Sequence, residues 1–269
     1  MGESICGQLS RAGEGKAMTT TAGIVVAAGQ GSRFGGKKQF FLLAGEPVWR
    51  RSTEALVKGG VEEIWVTVPA EDVIGVSAHI ASHPFDVPVH VLAGGRSRAE
   101  SVGQAVLAAT AKIVPGTVKS TQPSESGMSR QARWLVVHDA ARPFVSPADV
   151  ERVIAAARQN GGAILARPVR ETVKRVEGGQ VAHTVSRKNL WLAETPQVFA
   201  AHWMREAYQE TNGRLDWETI TDDASLIESL AHPVTIVACS GINLKITEPV
   251  DWELAQWLAV QRWGKKSCV

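Results

Sequence analysis

The sequence predicts an α/β fold: a mostly parallel twisted sheet with helices on both faces and a projecting β-hairpin arm. Three observations carry this. Short β-prone apolar runs alternate with segments of helical period, several of those runs end in Gly-rich or polar clusters, and residues 171–185 (ETVKRVEGGQVAHTV) break the alternation. In that stretch two β-prone runs flank Glu177-Gly178-Gly179-Gln180, the pattern of a hairpin.

The first strand, GIVVAA, runs directly into a Gly-rich loop. A helical pattern over 48–58 then leads to the strand 64–69, and the alternation continues with a helix near 71–81, a strand over 87–92 and a helix over 97–112. WLVVHDA at 134–140 is a further strand, followed by a helix over 147–159 and the apolar run GGAILA at 161–166. A last helix over 248–263 carries Trp252 and Trp257 at a spacing suited to core or interface packing. Residues 115–132, rich in Pro, Ser, Gly and Gln, read as a flexible surface insertion, and residues 1–21 as a disordered tail. Residues 22–264 then form a single domain, with an arm at about 168–190. Valines on both strands of that arm would expose apolar surface unless another chain covered it, which predicts a homodimer.

Composition narrows the function classes. With 44% hydrophobic residues the chain can bury a sizeable core, and a formal charge of +2 with dispersed basic residues excludes a generic nucleic-acid binder. The three cysteines, Cys6, Cys239 and Cys268, lie far apart, with no metal-ligand pairing and no disulfide framework, as expected of a reduced, cytoplasmic protein. No apolar run approaches the roughly 18 residues of a membrane span, and the N-terminus lacks the apolar centre of a signal peptide.

The loop after the first strand, within IVVAAGQGSRFGGKKQF at 24–40, describes a polyphosphate cradle. Ala27, Ala28, Gly29 and Gly31 let backbone N–H groups close on an anion, with Arg33, Lys37 and Lys38 within one loop of them. It is not a P-loop, since Gly31 and Gly35 are not followed by Lys-Ser/Thr, and Phe34 replaces the third glycine of the dinucleotide fingerprint. In parallel sheets ligands lie beyond the carboxyl ends of the strands, where AGGRSRAES at 93–101 and HDAARPF at 138–144 also stand. Asp139 follows a buried strand directly, the position of a magnesium ligand that shares its ion with phosphate oxygens; the alternative is a turn cap or a pair with Arg142. Ser97 fits a helix N-cap, with Arg96 and Arg98 solvated beside it, unless Gly94, Arg98 and Ser101 meet a nucleoside. Thr172, Lys174, Arg187, Thr195 and Lys245 are dispersed cations and hydroxyls suited to a second phosphorylated substrate. Thr221-Asp222-Asp223 fits a helix start, with Thr221 or Asp222 capping and Asp223 meeting the dipole. No Ser/His/Asp ordering or histidine metal spacing stands out among His138, His183 and His202.

Taken together, AAGQGSRFGGKKQF, GGRSRAESV, VHDAARPFV, PVRETVKR, HTVSRKNLWLAETPQVF, ITDDASLIE and NLKIT closely resemble the 2-C-methyl-D-erythritol 4-phosphate cytidylyltransferases of the non-mevalonate isoprenoid pathway, in family order from residue 24 to about 250. The resemblance implies a Rossmann-like fold and attack by the phosphate of methylerythritol 4-phosphate on the α-phosphorus of CTP, with Mg²⁺, releasing pyrophosphate. It assigns catalysis to Arg33, Lys38 and Lys245, CTP binding to Ala27, Ala28, Gly29, Gly31, Ser32, Gly94, Arg98, Ser101 and Asp139, and the metal to Asp139. Arg142, Thr172, Arg187 and Thr195 would hold the polyol phosphate, with Arg142 and Thr172 serving the site of the partner subunit. Two positions depart from the family pattern, Val26 and Lys37, where proline is usual. Some family members continue into a cyclodiphosphate synthase domain, for which the sequence after the last helix leaves no room. The competing expectations are a ribitol 5-phosphate cytidylyltransferase, which shares the nucleotide motifs, and a nucleotide-binding module without catalysis.

Overall fold

The computed structural model describes residues 20–31, 34–111, 132–210 and 220–264. Arg33 and Ser32, the tail at 1–19, nearly all of the insertion at 115–132, Cys6 and Cys268 lie outside the described residues.

The elements follow in the order β1 (Thr20–Val26), β2 (Leu42–Leu43), β3 (Glu46–Pro47), α1 (Val48–Lys58), β4 (Glu63–Val68), α2 (Val73–Ser82), β5 (Val89–Ala93), α3 (Arg98–Thr110) and β6 (Ala132–Asp139). Then come α4 (Pro147–Asn160), β7 (Gly162–Pro168), β8 (Val173–Glu177), β9 (Gln180–Val185), β10 (Trp191–Ala200), α5 (Ala201–Glu210), α6 (Asp223–Ser229), β11 (Thr235–Ala238) and α7 (Pro249–Trp263). Seven strands form one sheet in the order β11-β7-β10-β6-β1-β4-β5. Every pairing is parallel except those of β10, which runs antiparallel to both β6 and β7.

Strand alternation divides the core into two layers. Val25, Val66, Val136 and Leu165 face Trp49, Leu56, Val150 and Val153 of α1 and α4. Ile24, Leu135, Val137 and Phe199 face Val102, Val106, Met204 and Ile227 of α3, α5 and α6. Helices on both faces thus match the predicted architecture. A third cluster seats α7 through Ala255, Leu258 and Ala259 against Leu43, Val48, Phe144 and Ile246.

The sequence pattern does not single out β10 or β11. The run WLAETPQVFA mixes Glu, Thr, Pro and Gln into its middle, and TIVA is only 4 residues long. Connectivity explains the direction of β10: β7 leaves the sheet, β8 and β9 form a separate two-stranded ribbon, and the chain returns beside β7. A strand that returns directly to its neighbour must run antiparallel. Its pairing with β7 breaks between Ala193 and Gln197, where Pro196 has no N–H to give the ladder. The start of β10 therefore lies at the carboxyl end of β6, which brings Glu194 and Thr195 to the rim where Asp139 stands.

Local chemistry sets the helix ends. Ser97 caps α3 by accepting from Glu100 N, and Ser146 caps α4 by accepting from Asp149 N with Pro147 in the first turn. At the other end of α4, Gly161 takes φ 89°, and a Cβ there would stand 2.0 Å from the Trp203 ring. Gly161→Ala therefore combines a left-handed alanine with a steric clash and should cost about 2 kcal/mol or more. Urea unfolding checks this; an unchanged midpoint would contradict the packing described.

Candidate active site at the carboxyl ends of the strands

The order of the sheet reverses at β1: the chain passes outward to β4 and β5, then crosses back to β6 on the other side. Ligands of open α/β sheets bind at such a switch point. The loops following β1, β5 and β6 converge there, joined by residues 243–246, which are drawn in by a bond from Ile246 N to Ala141 O, 2.9 Å.

The first loop is braced from below. The buried Gln39 side chain donates to Ala27 O at 2.9 Å and Gly29 O at 2.8 Å. Gly31 O accepts from the amides of Phe34 and Gly35, both at 2.9 Å, in a turn that requires φ 69° at Gly31. A Cβ on Gly31 would fall 1.8 Å from Gly36 O. Lys37 and Lys38 diverge. Lys37 Nζ pairs with Glu71 at 2.7 Å and Asp72 at 2.6 Å, while Lys38 lies 5.9 Å from the Phe34 ring centroid. Phe34, in turn, meets Phe41 and Trp252 edge to face, at 5.5 and 6.2 Å. The extra cation of the loop is thus neutralised by carboxylates beyond β4.

Across from this loop, Gly94 approaches closely: a Cβ there would be 2.3 Å from the Ala28 Cβ. Ser101, fully buried, accepts from Gly95 N at 3.1 Å and donates to Ser97 O at 2.8 Å. In this arrangement Ser101 shapes the 94–97 loop from within.

Asp139 is the centre of the site. Its Oδ1 accepts from Arg98 Nε at 3.0 Å, its Oδ2 meets Lys245 Nζ at 2.7 Å, and Arg142 Nε stands 3.9 Å from Oδ2. Burial alone would raise this carboxyl, but Arg98 and Lys245 outweigh it and hold Asp139 well below the usual carboxylate range. Arg98 is therefore not the solvated cation the pattern suggested; its Nη2 also donates to the buried Asp223 at 2.8 Å. Burial would lower its guanidinium, yet Asp223 and Asp139 keep it above its ordinary value.

Arg98, Asp139, Arg142, Thr195 and Lys245, all named from sequence, line one cleft together with Glu194, Gln197, Thr221 and Asp222. Thr172 and Arg187 are exposed and stand apart from it at the arm, Thr172 just before β8 and Arg187 after β9, where it donates to Arg170 O. Arg142 lies in the cleft of its own chain, donating to Asn243 O at 2.9 Å.

Several site residues escape a reading of the sequence. Asp222 does cap α6, accepting from Ser225 N at 3.1 Å, but Asp223 is an ion-pair partner of Arg98 rather than only a dipole complement. Asn243 donates to Glu194 at 2.8 Å and to Thr195 O at 2.9 Å. Gln197 Oε1 accepts from the amides of Asp223 and Ala224, at 3.1 and 3.0 Å. These are long-range contacts, and no local signal marks them.

The residues present suit a magnesium ion with a single protein carboxylate. Among the described residues no group of three or more His, Cys, Asp or Glu could hold a metal. Asp222 is committed to its cap and to Gln197, and Glu194 to Arg167 and Asn243. Asp139 is ionised, and the Lys245 on its Oδ2 has a side chain 40% exposed, so that oxygen is the one a metal could reach. Mg²⁺ commonly takes its other ligands from substrate phosphates and water.

His138, beside Asp139, is wholly buried, and its bonding defines its tautomer. Nε2 faces Arg142 O at 3.1 Å, and a carbonyl only accepts, so Nε2 carries the proton. Nδ1 then accepts from the Thr195 hydroxyl at 3.0 Å, whose oxygen accepts from Asp139 N at 3.0 Å. Burial pushes the imidazole from 6.5 down to about 4. Because the folded value lies below the unfolded one, this contribution is whole above pH 6.5 and is lost as pH falls toward 4. Each unit is worth about 1.4 kcal/mol, so about 3 kcal/mol of stability should go across that window. In His138→Gln the fall measured by urea unfolding between those pH values should shrink; an equal fall in both proteins would refute the assignment to His138.

The sequence profile of the family 2-C-methyl-D-erythritol 4-phosphate cytidylyltransferase matches residues 21–261. The protein of that name from Rhodopirellula baltica is 40% identical over 237 residues, 87% of this chain and 92% of its own. The one from Vibrio cholerae is 37% identical over 249 residues, 89% and 96% of the two chains. Crystal structures of such enzymes from Thermus thermophilus (TM-score 0.67, 29% identity, 90% of this chain and 99% of that one) and Francisella tularensis (TM-score 0.68, 26% identity, 89% and 99%) share the fold. A sheet reversing at β1, a Gly-rich loop after that strand and a cation-ringed aspartate at the end of β6 are thus found in a chain that belongs to the 2-C-methyl-D-erythritol 4-phosphate cytidylyltransferase family.

Proposed function

We propose that this chain catalyses transfer of the cytidylyl group of CTP to 2-C-methyl-D-erythritol 4-phosphate, in the cytoplasm, as a homodimer using Mg²⁺. The observation that carries it is the convergence of Arg98, Arg142 and Lys245 on the single carboxylate of Asp139 at a strand end. These cations can exchange Asp139 for phosphate oxygens, while Glu194 and Asp222 of the same cleft are engaged by Arg167, Asn243 and Gln197.

A phosphate oxygen of the acceptor attacks the α-phosphorus, the bond from that phosphorus to the bridging oxygen of the β-phosphate breaks, and pyrophosphate leaves with the electron pair. Two anions must approach and charge develops on the departing group, so the protein's task is positioning and neutralisation. The amides of the loop after β1, with Arg33 and Lys38, hold the triphosphate. Lys245 and Arg142 hold reacting phosphate oxygens, and Thr195 is fixed at the cleft by its bonds to Asp139 and His138. Gly94 and Ser101 shape the opening for cytidine. Mg²⁺, held by Asp139, would neutralise charge on the phosphates. The homodimer is supported by the arm, where Val176 and Val181 are 54% and 61% exposed on adjoining strands. In the proposed dimer Thr172 serves the cleft of the partner subunit.

Lys38→Ala should lower kcat by about 10² to 10³ while unfolding as the wild type does, as expected for loss of one preorganised charge donor. Pyrophosphate release at near wild-type rate would remove Lys38 from the mechanism. The same assay with CTP and either methylerythritol 4-phosphate or ribitol 5-phosphate tests the acceptor, and turnover with ribitol 5-phosphate alone would reverse the assignment.

A further inference from the structure

Behind the cleft wall a series of buried polar groups ends on Arg98. The Tyr208 hydroxyl donates to Asp223 Oδ1 at 2.6 Å, Arg98 Nη2 donates to Asp223 Oδ2 at 2.8 Å, and Arg98 Nε donates to Asp139 Oδ1 at 3.0 Å. Asp223 exposes no side-chain surface, and Thr221 and Asp222 form the cleft wall in front of it. Its carboxylate reaches the cleft through Arg98. The Tyr208 ring is itself seated on α3, the helix that begins with Arg98: a Cβ on Gly103 would stand 2.9 Å from Tyr208 Cδ1. The hydroxyl therefore keeps a fixed position relative to the Arg98 backbone.

A guanidinium beside one carboxylate tends to pair with both of its oxygens through two parallel N–H groups. Here the fork is divided, one donor to each of two carboxylates, and Asp139 Oδ2 is left to Lys245 at 2.7 Å. We infer that Asp223, oriented by Tyr208, is a positioning residue that draws half of the Arg98 fork away from Asp139, so that one oxygen of Asp139 stays available for exchange between Lys245 and an incoming group. Without Asp223 the fork closes on Asp139, that oxygen is occupied, and the cleft gains a positive charge.

This rests on the cleft being the polyphosphate site, and it has a signature that loss of structure does not mimic. In Asp223→Asn, turnover with CTP and the polyol phosphate should fall about ten-fold or more, as for loss of a hydrogen bond to a charged group. Pyrophosphate affinity, measured by calorimetry on the same protein, should stay level or tighten because one negative charge has been removed. Tyr208→Phe, which deletes only the hydroxyl, should show the same split at about three-fold, and it carries the test if Asp223→Asn does not fold. Turnover within two-fold of the wild type, or turnover and affinity falling together with the unfolding midpoint, would overturn the inference. Failure of the wild type to bind pyrophosphate or release it from CTP would instead overturn the proposed function.

Discussion

One buried negative charge organises the functional end of this molecule. Asp139 is the last residue of a central strand, shielded from water, and an ion so placed is costly unless paired and hydrogen-bonded. The cations that offset it come from three separate stretches: Arg98 from the start of α3, Arg142 from the loop after β6, and Lys245 from the segment before α7. Removing any one leaves the others facing a less balanced carboxylate. Such a cluster is weak evidence for stability, since a well-packed apolar core could replace it, but it fixes where three loops must meet.

The backbone beneath the cluster is held with comparable specificity. From the Asp139 amide through Thr195 and His138 to the Arg142 carbonyl, each donor has one acceptor. This short circuit spans the same turn that carries Asp139 and Arg142, so the two charges of the turn are set relative to each other by a neutral imidazole. The buried His138 thereby has a role in the geometry of the site, although no metal or nucleophile pattern surrounds it in sequence.

Much of this architecture is legible in the amino-acid sequence alone. Parallel strands betray themselves as apolar runs ending in Gly-rich or polar loops, which is why β1, β4, β5, β6 and β7 and their helices are readable. β10 is not, because its buried middle is polar: Glu194, Thr195 and Gln197 face the site network rather than an apolar layer. The same cause hides Asp223. In Thr221-Asp222-Asp223 local spacing explains a cap, and Asp222 is one, but the partner that gives Asp223 its meaning lies 125 residues away. Lys37 shows the converse case. Its place in a phosphate loop suggests an anion, whereas Glu71 and Asp72 beyond β4 claim it. Motif residues are readable when the chemistry is local, and ambiguous when folding decides which charges meet.

The path of β10 has a consequence for how such a chain can vary. Trp191 to Ala193 pair with the end of β7 next to the arm, and Gln197 to Ala200 pair with β6 inside the core. Between them sit Glu194 and Thr195, whose direction depends on the count of residues from either side. A single insertion at the hairpin tip, near Gly178 and Gly179, is absorbed by solvent. The same insertion within β10, between Trp191 and Thr195, would turn Thr195 away from Asp139 and exchange the faces of a central strand. Natural variation in arm length should therefore gather at the tip, while the span from Trp191 to Ala200 keeps its length.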